Sequence, residues 1–233
     1  MAVAALSPAA ELGRRGDAAR VFRWASVTKP VVALATLVAA EEGTIDLDEP
    51  AGPPGSTIRH LLAHASGLPF EAGPPIAKPG TRRIYSNAGF EALAEALAEH
   101  AEMPFAEYLS KAVLEPLGMN ADLRESPAGG LHGTLEEATS VQFPGLVGVL
   151  PSFGRMEPND WGLGFELRDA KAPHWTGANN SPRTFGHFGG SGTFLWVDPD
   201  AGIALGCLTD REFGDWAKEA WPRLSDAVLA EAL

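Results

Sequence analysis

The sequence has a single cysteine, Cys207, among its 233 residues. That excludes an intrachain disulfide framework and a cysteine-rich zinc cluster. The setting of Cys207, GIALGCLTD, reads as a buried strand, so a small core residue is expected there, not a reactive thiol. Long hydrophobic runs are missing too. The longest, residues 30–40, is too short to span a bilayer. MAVAALSPAAELGRRGD has no basic segment ahead of an apolar stretch and makes a poor secretory signal. Positive charge is scarce: 18 Lys and Arg stand against 30 Asp and Glu, for a formal net charge of -12. A basic face for nucleic acid, or for an anionic membrane surface, is therefore not expected. The default expectation is a cytoplasmic protein with neither nucleic acid nor membrane as partner.

What is present is core-forming material. With 45% hydrophobic and 21% charged residues, the chain can bury a sizeable core as one large domain or two interleaved lobes. Residues 1–25 suggest two short strands around SPAA. Residues 27–42 read as a helix that is apolar on most faces, begun by Pro30 in its first turn and stopped by Gly43. TIRHLLAHASGLP offers a short helix with Thr57 as N-cap and Gly67 as stop. SNAGFEALAEALAEHA is an amphipathic helix, and MPFAEYLSKAVLEPLGM predicts another with Pro104 near its start. Residues 120–160 are mixed, with a short helical pattern at TLEEATSVQ. The last third changes character: WGLGFELRD, RTFGHFGG, GTFLWVDPD and GIALGCLTD read as antiparallel strands, PDAG as a hairpin turn, and residues 212–232 as a closing helix. Strands at both ends and helices between them predict an α/β lobe over 1–50 and 150–233, closed by both termini, with a helical lobe over 51–149.

One feature of the first long helix invites chemistry. Ser26 and Lys29 stand at i and i+3 at its start, a spacing that lets a hydroxyl and an amine share one face. The helix N-terminus favours a developing oxyanion at Ser26. An apolar helix disfavours the charged form of Lys29, and a neutral amine can accept the serine proton. Taken alone the pattern is weak, since an S-x-x-K match occurs about once by chance in a chain of this size. The bland alternative is an N-cap serine beside a snorkelling lysine.

Two further stretches follow in order: Tyr85-Ser86-Asn87, in a loop before a helix, and His187-Phe188-Gly189, leading into a strand. S-x-x-K, Y-x-N and H-x-G in this order resemble the serine β-lactamase and penicillin-binding-protein superfamily. The closest resemblance is to its class C-like branch of related esterases, D-aminopeptidases and DD-peptidases. FRWASVTK, TIRHLLAHASGLP, IYSNAGFEALAEAL, VLEPLGM, WGLGFEL and GHFGGSGTFLWVDP carry the resemblance over most of the chain. It implies a three-layer α/β sandwich with a mostly antiparallel sheet flanked by helices, plus a small inserted helical lobe. It also implies a metal-free, cofactor-free serine hydrolase working through an acyl-enzyme. Ser26 would be the nucleophile, Lys29 its base partner and Tyr85 a phenolic acid/base. The backbone N–H groups of Ser26 and Gly190 would form the oxyanion hole, with Asn87, His187 and Gly189 holding substrate.

Two departures shape the expected substrate. Penicillin-interacting members usually carry Lys where this chain has His187, and a mostly neutral imidazole supplies less charge for a lactam carboxylate. A small ester is therefore expected ahead of a D-amino-acid amide, a peptide or a β-lactam. Many relatives are also much longer, and only 25 residues precede Ser26. A shallow, open site follows as an expectation, and a catalytically silent binding protein of the same fold is the alternative.

Other candidates are weaker. GGSGT at 189–193 departs from the G-x-S-x-G elbow at Thr193 and leads into a strand, not a helix. Ser66 looks like a helix-end turn. His60 and His64 have i, i+4 zinc spacing, but nothing nearby completes a site, and a hydrogen-bonded structural role is expected. Trp161, Trp175 and Trp196 read as packing residues, while Trp24 and Phe153 are candidates for an acyl pocket.

Overall fold

The computed structural model describes residues 1–17, 20–119 and 134–232. The chain opens with strands β1 (Ala2–Leu6) and β2 (Glu11–Gly16), joined through the Ser7–Ala10 turn. A 3-10 turn at Ala25–Val27 runs directly into helix α1 (Thr28–Glu41). Helices α2 (Ile58–Leu62), α3 (Asn87–His100) and α4 (Phe105–Leu109) follow; α4 continues as a wider π-helical turn over Ser110–Leu114. Next come α5 (Thr134–Ala138) and strands β3 (Gly148–Leu150), β4 (Gly154–Met156) and β5 (Glu166–Leu167). Strands β6 (Phe185–Gly189), β7 (Thr193–Asp198) and β8 (Ile203–Leu208) precede helix α6 (Asp215–Ala232).

The described chain forms two compact units, Met1–Val27 with Glu166–Leu233, and Thr28–Phe165. The unit carrying both termini is built on a six-stranded sheet in the order β2-β1-β8-β7-β6-β5, antiparallel at every pairing. The period of two is plain in β8, where Ile203, Leu205 and Cys207 point inward and the residues between them are half-buried. Cys207 lies opposite Val3 on one side and Phe194 on the other, and burial pushes its thiol up to about 11. α6 covers one face of the sheet: Trp221 packs edge-on to Phe194 and Phe188, and Trp196 Nε1 donates to Ser225 Oγ. Each such ring, taken fully out of water, contributes about 1.5–3 kcal/mol.

Among the described residues, the regular elements of the second unit are helices apart from the β3–β4 hairpin. α1 is buried almost all round, through Val32, Ala33, Ala35, Leu37 and Ala39. Around it stand Leu61 and Leu62 of α2, Phe90, Leu93 and Leu97 of α3, and Leu109 of α4. Ala33 is small for a reason. Gly164 approaches so closely, at φ 79°, that a Cβ there would lie 2.2 Å from the Ala33 methyl.

Several boundaries differ from expectation. α2 ends at Leu62, well before Gly67, because His64 itself takes the left-handed conformation (φ 54°). WGLGFELRD yields only the two-residue β5, since Gly164 breaks the extended run. The helix expected over MPFAEYLSKAVLEPLGM is split by the π turn, and α5 covers only the first half of TLEEATSVQ. The expectation for residues 120–133 lies outside the described residues. Among the described residues, no helix is long and apolar enough to cross a membrane.

Candidate active site

Lys29 lies in the first turn of α1, and the helix draws it inward: only 7% of it is exposed. Its ammonium donates to Asn87 Oδ1 at 2.7 Å. It stands 4.8 Å from the centroid of the Tyr85 ring and 5.6 Å from that of Phe90. Burial pushes Lys29 down to about 8, against the opposing pull of Glu71 and Glu91. At neutral pH roughly a tenth of such a group is free amine, where an ordinary lysine has less than one part in a thousand.

Tyr85 and Asn87 are placed by the start of α3. Ser86 caps that helix: its Oγ accepts from Gly89 N–H at 2.8 Å and donates to Pro69 O at 2.6 Å. Asn87, the first helical residue, has its N–H held by Phe70 O. Its side-chain amide is oriented at both ends, accepting from Lys29 and donating to Glu71 Oε1 at 3.4 Å. Tyr85 sits among rings, with Phe70 stacked at 5.9 Å and Trp161 at 5.8 Å, and packs with Phe153 against the buried cluster of Leu150, Met156 and Trp161. In this unit, therefore, the structure brings together Lys29, Tyr85 and Asn87.

The other unit carries Ser26, His187, Gly189 and Gly190. Ser26 is half-buried in the 3-10 turn, which is closed by Val27 N–H on Trp24 O. Ala25, immediately before it, has φ 46°, a strained value for a residue with a side chain. The end of β6 is tied to this turn. Thr193 Oγ1 donates to Trp24 O at 2.9 Å and Ser191 Oγ to Arg23 O at 2.7 Å. A Cβ at Gly189 would lie 2.4 Å from Trp24 O, so only glycine permits this approach. The Gly190 carbonyl is held by Phe213 N–H at 2.9 Å. His187 is buried, with Nδ1–H donating to Phe188 O at 2.7 Å. Ser191, the serine of GGSGT, belongs to the turn between β6 and β7.

Four neighbours of Lys29 and Tyr85 escaped the sequence reading. Phe70 and Glu71 come from a Pro/Gly loop that carries no periodic signal. The sequence suggests a hydrogen-bonded structural role for His64, and packing for Trp161. Trp161 is indeed buried, yet its ring faces Tyr85. His60 stacks on Phe143 with its Nδ1 against Thr57 Oγ1. No group of three or more His, Cys, Asp or Glu residues able to hold a metal ion occurs among the described residues.

A partly neutral lysine beside a phenol and an oriented amide, and a strained serine turn beside a glycine-rich strand end, are parts suited to acyl transfer. The family model described as Beta-lactamase matches residues 8–130 and 128–229. The chain belongs to the beta-lactamase family. A crystal structure of a beta-lactamase from Mycobacterium bovis superposes with a TM-score of 0.94 at 53% identity, covering 99% of this chain and 94% of that one. Penicillin-binding protein 4* of Bacillus subtilis is 29% identical over 133 residues, 43% of this chain and 30% of that protein. Esterase EstB of Burkholderia gladioli is 40% identical over 74 residues, 26% of this chain and 19% of the esterase. This chain's matches span about a third of the length of the penicillin-binding and carboxypeptidase relatives, 30% and 35%. The family assignment brings its fold, a mostly antiparallel sheet flanked by helices.

Proposed function

We propose that the chain is a serine hydrolase that cleaves a small ester through an acyl-enzyme. The observation that carries the reading is Lys29: an amine buried in an apolar helix, lowered to about 8, three residues after Ser26. Lys29, with Tyr85 beside it, takes the Ser26 hydroxyl proton as Oγ attacks the ester carbonyl. The backbone N–H groups of Ser26 and Gly190 receive the oxyanion. Collapse expels the alkoxide, which leaves as alcohol with the proton passed through Tyr85. Water then attacks the acyl-Ser26 ester and delivers its proton to the Tyr85–Lys29 pair, which passes it to the departing Ser26 Oγ as the acid is released. His187 and Gly189 line the strand against which the acyl group lies, and Asn87 donates to it.

Ester preference is supported by charge. Position 187 carries imidazole, and Glu71 and Glu91 act on Lys29. A carboxylate-bearing lactam or D-alanyl peptide meets less positive charge than in penicillin-interacting relatives. A lactam reading is favoured by the name of the 53% identical Mycobacterium bovis protein. The test uses a chromogenic short-chain ester and a chromogenic cephalosporin, with intact-mass detection and Ser26→Ala as control. The expected result is ester turnover and a covalent adduct, both lost in Ser26→Ala. Faster cephalosporin turnover moves the assignment to the lactam reading. With no burst, turnover or adduct from either probe, the hydrolase reading fails and a binding role of the same fold stands.

A further inference from the structure

We infer that His64 is the positioning residue that sets Tyr85 against Lys29, a role resting on the reading of Tyr85 as the proton carrier. His64 grips the chain on both sides of that tyrosine. Its backbone carbonyl accepts from Ile84 N–H at 2.9 Å, and its ring Nδ1 accepts from Ser86 N–H at 3.1 Å. Both peptide N–H groups flanking Tyr85 therefore end on one residue. The left-handed backbone of His64 (φ 54°) goes with this grip; it is a costly conformation for a residue with a side chain and persists where surrounding contacts over-determine it. The imidazole is 1% exposed, and its ring lies 4.6 Å from Tyr85, 5.1 Å from Phe90 and 4.9 Å from Trp161. Tyr85 and Phe90 are the same two rings that Lys29 faces.

The rest of the loop is anchored elsewhere. Ser86 Oγ holds Pro69 O, and Phe70 O receives the Asn87 and Ala88 N–H groups. Removing the Nδ1 acceptor thus loosens Tyr85 while leaving the start of α3 and Asn87 in place. Because Nδ1 accepts, the neutral ring carries its proton on Nε2. The position requires an acceptor at the Nδ1 place and a residue tolerant of positive φ. Asparagine meets both demands, since its Oδ1 overlies Nδ1. Glutamine offers its oxygen at the Nε2 place, and phenylalanine offers only the ring.

The test compares His64→Asn, His64→Gln and His64→Phe by ester kinetics and by phenol absorbance. Misplacing a reacting group by about 1 Å loses on the order of 100-fold, so kcat for Gln and Phe is expected to fall at least ~30-fold with KM within ~3-fold, and Asn to recover most of the loss. The chain has only two tyrosines, Tyr85 and Tyr108, and burial and Glu42 raise Tyr108 out of the accessible range. Absorbance titration below pH ~11 therefore reports Tyr85. Its midpoint is expected to match wild type in Asn and to move by about half a unit or more in Gln and Phe. Equal effects of Asn and Gln on kcat and midpoint overturn the inference, as does a wild-type midpoint in all three. If wild-type protein turns over cephalosporin and not ester, the same kinetic comparison is made with cephalosporin; if it turns over neither, the hydrolase reading fails, and the titration alone decides the role of His64. If His64→Phe does not fold, the Asn and Gln pair decides.

Discussion

The two compact units each bury a lysine, and they do opposite things with it. Lys171, 1% exposed at its side chain, lies 2.5 Å from Glu166 Oε1 and also donates to Leu167 O. His174 Nε2 and Trp175 Nε1 share the other oxygen, Oε2, at 2.8 Å each. Burial alone would raise Glu166, but His174 and Lys171 outweigh it and hold the carboxyl down at about 2. Lys29 is nearly as buried, but its hydrogen bond goes to a neutral amide and its flank to aromatic rings. Burial then prevails and the amine falls to about 8. A buried ammonium against a carboxylate is a tie; beside an amide and two rings its charged form is disfavoured.

The largest effect should come from breaking the tie. Lys171→Met orphans Glu166 Oε1 and is expected to lower unfolding free energy by about 3 kcal/mol, measured by urea denaturation, with activity per folded molecule unchanged. Equal stability would mean that His174 and Trp175 suffice to hold Glu166. Lys29→Met should do the reverse: ester turnover at neutral pH falls at least ~100-fold, while the urea midpoint holds or rises. A matching loss of stability would make Lys29 a structural residue.

The next distinction is in pH. Lys29 has its folded value lowered from 10.5 to about 8, so the unfolded chain binds the extra proton between these limits. Its destabilisation, about 3 kcal/mol in full, is present below pH 8 and is relieved as pH rises toward 10.5. Glu166 acts at the other end: its stabilisation is present above the unfolded value of 4.5 and is lost as pH falls toward 2. Activity should rise about tenfold from pH 7 to 9, following the neutral amine, and a flat profile would remove Lys29 as the base. The smallest effect expected is that of His187→Lys, a severalfold gain in cephalosporin acylation relative to ester turnover, about 1 kcal/mol of added charge attraction. An unchanged ratio removes position 187 as a determinant of ester preference.

Much of this was legible because punctuation and period agreed. Pro30 and Gly43 bracket α1, Thr57 caps α2 by accepting from His60 N–H, and Asp198 and Ile203 close the hairpin across PDAG. The grouping of Lys29, Tyr85 and Asn87 was readable from motif order, and the structure brings the three side chains together. The left-handed turn at His64 was not, because Gly67 gave the stronger stop signal and histidine at positive φ is uncommon. The β3–β4 hairpin has three-residue strands, too short for alternation to register. Glu71 and Phe70 join the site across 14 and more residues of loop, through Asn87 and Tyr85, and no local pattern encodes such a contact.

Glu71 also bears on traffic to the site. It sits exposed where its oxygen meets Asn87, on a chain of formal net charge -12. Approach there is electrostatically biased before any contact forms. If the proposed ester hydrolysis holds, an ester bearing an ammonium is expected to gain in encounter rate at low ionic strength and to lose that gain as salt shortens the Debye length below about 10 Å. An ester bearing a carboxylate shows the opposite salt dependence. On the hydrolase reading, the acid beside Asn87 is expected to act as a diffusional filter, sorting substrates by the sign of their charge during approach.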